Sequence, residues 1–354
     1  MCLPDASTRR VNPDPSRLPQ SPAPAAFARI AGKLAIFAAI GAWLGFLAGF
    51  AGRWAWPLDL FAHFRIQYAV VLALACVTLL LLRRSRAAVL AFAGAVATTA
   101  SVIAYTGWHL QPAQAASRDF RFVTFNVFYR NRNLAGIADY LQRIDADVVA
   151  LQELEPPQAR QLAALLPSYP HVSPLAQGRY GTIIFSRWPI TSAASVELVP
   201  GGARVEKAVI DWRGQSVTLI GAHLHWPIRP GTAHLRNAEL HKLAQLAKSI
   251  DGPLLVGGDF NITPWSPNFR DAVAESGLQD CAHGHSPVTT WPTFFAPAWI
   301  RIDHCLASAD WRVVAIQTGP ALGSDHYPVV NDFEAGPMGR LANESPRRLK
   351  RNQR

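Results

Sequence analysis

The chain has 354 residues, half of them hydrophobic and only 16% charged, which excludes a disordered polymer and leaves room for two or three domains. Its formal charge of +10 sits at the ends: residues 1–117 hold 10 basic and 3 acidic side chains, residues 118–335 hold 18 and 20, and residues 336–354 hold 6 and 1. The central part is therefore net acidic, which excludes a bulk electrostatic footprint for nucleic acid there.

A Pro-rich leader (1–33) precedes three runs without a charge, 34–52, 66–82 and 87–108, of 19, 17 and 22 residues. A helix crossing ~30 Å of hydrocarbon needs about this length, so the sequence predicts three transmembrane helices within an anchor over 34–110. Arg9, Arg10, Arg17, Arg29 and Lys33 precede the first run, and Arg83, Arg84 and Arg86 fill the turn after the second. The positive-inside rule then puts the leader in the cytoplasm and everything after the third run outside it, most simply on the periplasmic face of a bacterial inner membrane. Trp54, Trp56, Phe61, Phe64 and Trp108 suit an interfacial aromatic belt. Gly41, Gly45 and Gly49 make a small-residue stripe suited to packing among helices of the same chain. Cys305 lies inside an apolar strand pattern, so the sequence favours free thiols over a bridge with Cys281.

From residue 118 strand and helix signals alternate. Strands are expected at 121–126, 147–153, 181–185, 204–212, 216–223, 253–259, 300–307, 311–317 and 327–333. Helices are expected at 133–144, capped by Asn133, at 156–166, opened by Pro156 and Pro157, and at 232–249, with a short one after residue 261. Many strands with few intervening helices point to an α+β domain of two packed sheets covered by helices, over 118–335. A basic tail, 336–354, follows; Arg347, Arg348, Lys350, Arg351 and Arg354 suit anionic lipid headgroups.

Polar residues gather where apolar strands end: Asn126, Glu153, His223, Asp259 with Asn261, Asp303, and Asp325 with His326. Period-two spacing predicts that Asp259 and Asn261 share a face, as do His223 and His225, while His304 faces away from Asp303. An oxygen-rich set without a Cys or His cage suits Mg²⁺ or a similar hard cation that keeps water and phosphate in its shell. Imidazoles beside it suit a nucleophilic water or a developing phosphorane.

The motifs FNV at Asn126, LQE at Glu153, AHLH from Ala222, GGDFN from Gly257, TWPTF from Thr290, RIDHCL from Arg301 and SDHYPV from Ser324 stand in the order seen in the endonuclease/exonuclease/phosphatase family, which residues 118–335 closely resemble. The resemblance implies a four-layer α-β-β-α sandwich of DNase I-like type with its site at one edge of the two sheets. It implies Glu153 as principal metal ligand, assisted by Asn126 and Asp325, with Mg²⁺ as the cofactor and Mn²⁺ as a substitute. It implies His326 as proton carrier oriented by Asp303, Asp259 as the group that aligns water or assists the leaving oxygen, Asn261 as a phosphate donor and His223 as a stabiliser of transition-state charge. His225 is a further candidate for substrate contact because it shares the predicted face of His223. The expected reaction is hydrolysis of a phosphodiester, whether lipid, small molecule or nucleic acid, by a protein in contact with membrane lipid. An extracytoplasmic nuclease and a catalytically silent membrane-tethered binding protein are the alternatives. Glu153, Asp259, Asp303 and His326 are all present, which disfavours the silent scaffold.

Overall fold

The computed structural model describes residues 23–106, 118–174, 181–285 and 288–336. The leader up to residue 22, Trp108 and the basic tail from residue 337 lie outside the described residues.

The chain begins with helices α1 (Ala23–Ala48), α2 (Trp56–Ala62), α3 (Arg65–Leu81) and α4 (Ser85–Thr106). Helices α1 and α4 are each long and apolar enough to cross a membrane. The expected second span, 66–82, differs: α3 has 17 residues, about 26 Å of helix, and qualifies only jointly with α2, from which it is bent by 63°. Pro57 sits in the first turn of α2, and Arg65 places a charge at the start of α3, just past the break, with its guanidinium 4.5 Å from the Phe50 ring centroid. Two of the three stripe glycines serve packing inside the chain. A Cβ on Gly45 would lie 2.6 Å from the Tyr68 ring and one on Gly49 2.8 Å from the Ala62 backbone, so α1 can approach its neighbours closely only with glycine there.

The rest of the chain comprises β1 (Phe120–Asn126), α5 (Leu134–Ile144), β2 (Val148–Leu154), α6 (Pro156–Leu165), β3 (His171–Val172), β4 (Gly181–Ser186), β5 (Ile190–Glu197), β6 (Arg204–Trp212), β7 (Gln215–His223), α7 (Pro230–Lys248), β8 (Leu254–Asp259), α8 (Pro267–Ser276), β9 (Gln279–Asp280), β10 (Asp303–Ala307), β11 (Trp311–Thr318) and β12 (Val329–Ala335). The strands form two six-stranded sheets, ordered β11-β12-β1-β2-β4-β3 and β5-β6-β7-β8-β10-β9. Alternation along the central strands sorts their side chains into layers. Phe120 and Phe122 of β1 join Leu219 of β7 and Cys305 of β10 between the sheets, whereas Val123 and Phe125 face α5 and α6. On the second sheet Ile220 and Val256 face α7 and α8. The layers are thus helix, sheet, sheet, helix, and the architecture is α+β.

Strand β5 was not anticipated, because its sequence, ITSAASVE, is an edge strand that buries little. Strand β10 starts at Asp303 rather than 300, since Ile300 instead forms an isolated bridge with Trp291. Cys281, just past β9, and Cys305 on β10 are buried free thiols; burial pushes the Cys281 thiol up, so it behaves as core.

The helical segment and the sandwich touch through polar groups as well as packing. Asp59 of α2 is buried against Arg236 of α7 (2.6 Å) and accepts from Ser266 Oγ (2.5 Å). Tyr105 of α4 donates to Asp280 Oδ2 (2.5 Å), which also pairs with buried Arg301. Gln67 Nε2 donates to the Trp299 carbonyl (2.8 Å), and Arg53 pairs with Asp271 at the surface.

Candidate active site

The register explains why distant residues meet. β1 runs parallel to β2, and β7 parallel to β8, so Asn126, Glu153, His223 and Asp259 all arrive at one edge of the two sheets. β10 runs antiparallel to β8 with Asp303 directly opposite Asp259, and the turn before β12 brings Asp325 and His326 to the same edge. Gly258 makes this possible, since a Cβ there would stand 1.8 Å from the Ala222 carbonyl oxygen and push β7 from β8. Glu153 is placed by a distortion of β2, where a register shift accompanies its positive φ of 62°.

Asn126, fully buried, donates Nδ2 to Glu153 Oε1 (3.0 Å) and Asp259 Oδ2 (3.1 Å), while its Oδ1 accepts from Phe128 N (3.0 Å). Asn126 thus clamps two carboxylates through Nδ2, while its Oδ1 accepts one backbone N–H and keeps a second lone pair. Glu153 Oε2 also accepts from Tyr129 N (3.1 Å). His223 Nε2 stands 3.7 Å from both Glu153 Oε1 and Asp259 Oδ2.

Asp303 Oδ2 lies 2.8 Å from His326 Nδ1, which leaves Nε2 directed to Asp259 Oδ2 at 3.7 Å. Ser324 Oγ accepts from His326 N (3.0 Å) and donates to the Asn126 carbonyl (2.7 Å), and Thr290 Oγ1 accepts from Asp303 N (3.1 Å). These two hydroxyls lie in the SDHYPV and TWPTF motifs, and their part in orienting the pair follows only from the fold. Burial alone would lower His326; Asp303 and Asp259 outweigh it and raise the group to about 10. Burial raises Asp259 to about 6 against the pull of His326. Asp325 Oδ2 accepts from Trp291 Nε1 (3.2 Å) at the cleft wall.

The two pairs expected to share a face, His223 with His225 and Asp259 with Asn261, do line one cleft, although the strands end before the second member of each. β7 stops at His223, and His225 turns its Nδ1 onto the buried Glu239 of α7 (2.5 Å), although His225 still lines the cleft. Asn261 follows β8 with a φ of 52° and donates Nδ2 to the Leu224 carbonyl (2.9 Å), holding the loop beside Asp259 rather than extending the strand face. His304 lies opposite Asp303 on β10, its Nε2 at 2.7 Å from the Ile262 carbonyl, and burial lowers it to about 3.

The cleft above these groups has a volume of about 840 Å³. Sequence reasoning did not find three of its wall residues, Leu60, His63 and Phe64, which come from the helical segment. Nor did it find Arg236, fully buried, which joins Asp59 to the site by donating to the Asn261 carbonyl (2.7 Å). No local pattern marks a contact across 177 residues; an acidic residue in an apolar segment was the one available signal.

The sequence pattern of the Endonuclease/Exonuclease/phosphatase family matches residues 123–326, more than half of the chain. The chain belongs to that family. No curated protein matches. Among solved structures, an endonuclease/exonuclease/phosphatase from Beutenbergia cavernae DSM 12333 is 23% identical, with 62% of this chain and 72% of that one covered and a TM-score of 0.51. A humanized D. rerio TDP2 is 21% identical, with 61% and 99% covered and a TM-score of 0.53. The Bacteroides thetaiotaomicron mannosyl-6-phosphatase Bt3783 is 18% identical, with 61% and 100% covered and a TM-score of 0.50. At these identities the likeness is one of fold. A family of phosphoesterases and nucleases makes the chain a hydrolase of ester bonds.

The donor chemistry at the edge of the sheets fits a divalent cation. Asp259, Asp303 and His326 have ligand atoms within 4.8 Å of one another, and Asp303 Oδ1 is buried with no hydrogen-bond partner among the described residues. Glu153 and Asp325 add further carboxylates on the cleft lining.

Proposed function

We propose that the chain is a membrane-anchored, divalent-metal-dependent phosphoesterase that hydrolyses phosphodiester bonds. The observation that carries this reading is the triple Asp303, His326 and Asp259: one carboxylate fixes the imidazole at Nδ1, and the free Nε2 faces a second carboxylate within reach of the cleft. Such a pair can take a proton from an attacking water and return one to the leaving oxygen. Glu153 and Asp325 would hold Mg²⁺, or Mn²⁺ in its place, with Asn126 orienting Glu153. The cation would polarise the phosphoryl oxygen and offset charge in the transition state. Asp303 and His326, bonded to each other through Oδ2 and Nδ1, are assigned the proton-transfer role in this reading, and the cation the carboxylates beside them. His223, next to Glu153 and Asp259, supplies a further donor for the phosphoryl oxygens.

The division of the chain into leader 1–33, anchor 34–110, catalytic domain 118–335 and tail 336–354 belongs to this proposal, with the leader cytoplasmic and the catalytic domain periplasmic. Helices α1 and α4, each of spanning length, support the anchor.

The test is hydrolysis of bis(p-nitrophenyl) phosphate by the full-length protein in detergent. Mg²⁺ or Mn²⁺ should support turnover and a chelator should abolish it, and His326→Ala should fall by roughly 10³-fold. A folded protein that binds metal but does not hydrolyse the ester, or a His326→Ala variant as active as the parent, would refute the reading.

A further inference from the structure

The cleft is not a property of the sandwich alone. Leu60, His63 and Phe64, from the segment that joins α1 to α3, line it together with Glu153, Asp259 and His326. This segment is locked in place: Asp59 is buried against Arg236 and Ser266, and Arg236 in turn holds the Asn261 carbonyl. It lies at the end of α1 and the start of α3, the depth at which an apolar helix leaves hydrocarbon for headgroups. On the proposed anchoring, the cleft sits at the membrane surface.

The rim has the composition of an interface. Trp226 lines the cleft and is 60% exposed; Phe64, also on the wall, is 36% exposed. The loop before β10 adds Trp291 and Ile300 to the lining and carries Phe295, 54% exposed, and it is tied to the first turn of α3 by the bond from Gln67 to Trp299. Large exposed apolar groups on three separate segments that border the cleft have no use in water, whereas aromatic residues at headgroup depth are at home. The same cleft offers little to a polyanion. Among the described residues Arg204 is the one Lys or Arg on its lining, and it is engaged by Ser195 and Glu197. An apolar rim above a floor of carboxylates and imidazoles fits a single phosphoester on an apolar carrier.

We infer that the substrate is a phosphoester borne by an amphiphile of the same bilayer, whose headgroup enters the cleft across the wall formed by Leu60 and Phe64 while its chains remain in lipid. The inference rests on the phosphoesterase reading above and deepens it. The reaction is unchanged: the water oxygen forms a bond to phosphorus, the bond from phosphorus to the leaving oxygen breaks, and a proton from the water ends on the released alcohol.

The experiment compares one scissile bond on two carriers. Full-length protein in phosphatidylcholine vesicles is given p-nitrophenyl hexadecyl phosphate in the bilayer or p-nitrophenyl ethyl phosphate in solution, with Mg²⁺. The long-chain ester should be favoured about tenfold or more in kcat/KM at matched bulk concentration. Phe64→Ser and Trp226→Ser should each lower the ratio of long-chain to short-chain rates several-fold, to a degree set by lost apolar contact. Equal rates on both esters, a ratio unmoved by either variant, or a preference for single-stranded DNA over the vesicle ester would overturn the assignment while leaving a working phosphoesterase. Loss of both ester activities in the wild type would instead defeat the phosphoesterase reading itself.

Discussion

The helical segment meets the sandwich at two buried ion pairs that differ in what lies behind them. At the first, Asp59 holds Arg236, and Arg236 holds the Asn261 carbonyl beside Asp259. At the second, Tyr105 and Arg301 converge on Asp280, and none of the three lines the cleft. Both pairs are desolvated, so each is costly to break from one side. The first contact is placed to support chemistry and the second to support the fold, and chain position gives no hint of the difference.

Direct damage to the site sets the scale for breaking this comparison. Asp259→Asn should remove roughly 10³-fold or more of kcat and should not be restored by added metal, because the amide cannot accept a proton. Glu153→Ala should also be nearly inactive, with partial recovery at high Mg²⁺ if its main work is to hold the cation. Activity titrations with metal distinguish the two patterns.

Asp280→Asn should act on stability. It leaves the Arg301 charge buried without its partner, at a cost of about 3–5 kcal/mol, read as a shift in thermal or denaturant unfolding. Turnover per folded molecule should stay close to wild type. Burial would raise the Asp280 carboxyl, and Arg301 outweighs it to hold the group well below the usual carboxylate range. The folded-state value is thus depressed, so its contribution is present above an unfolded value of about 4 and is lost as pH falls toward the folded value. Wild type should lose stability more steeply than Asp280→Asn below about pH 4. Parallel acid curves would contradict this.

A smaller pH effect in the opposite sense marks the floor between the sheets. Burial raises Glu206 of β6 to about 7 against the pull of Ser195 and Arg204. A raised carboxylate favours the folded state while protonated, and that contribution fades as pH rises from about 4 through 7. Glu206→Gln should flatten this stretch of the stability profile by about 1–2 kcal/mol, measured by unfolding at pH 5 and pH 8.

Much of the sandwich was legible because its signals are local. Asn133 caps α5 by accepting from Gly136 N, Pro156 opens α6, and apolar runs mark the central strands. β5 was hidden because an exposed edge strand needs no apolar alternation. The site residues were legible as strand ends, yet the bonds of His225 to Glu239 and of Asn261 to the Leu224 carbonyl were not, since both leave the strand and period-two reasoning stops there. Asn126 was recognised as a site residue, but its donation to Glu153 and Asp259 depends on which amide atom the backbone of Phe128 claims. The wall from the helical segment left only one trace in the sequence, Asp59 in an apolar segment, because Asp59 and Arg236 become partners only once two regions dock.

The most direct test of the claim that these two regions build one site is the turnover of Asp59→Asn in the full-length protein, corrected for folded fraction, on soluble bis(p-nitrophenyl) phosphate. Breaking the pair should release Arg236 from the Asn261 carbonyl and lower kcat about tenfold to a hundredfold, where Asp280→Asn leaves it near wild type. Equal turnover in both variants would contradict the account.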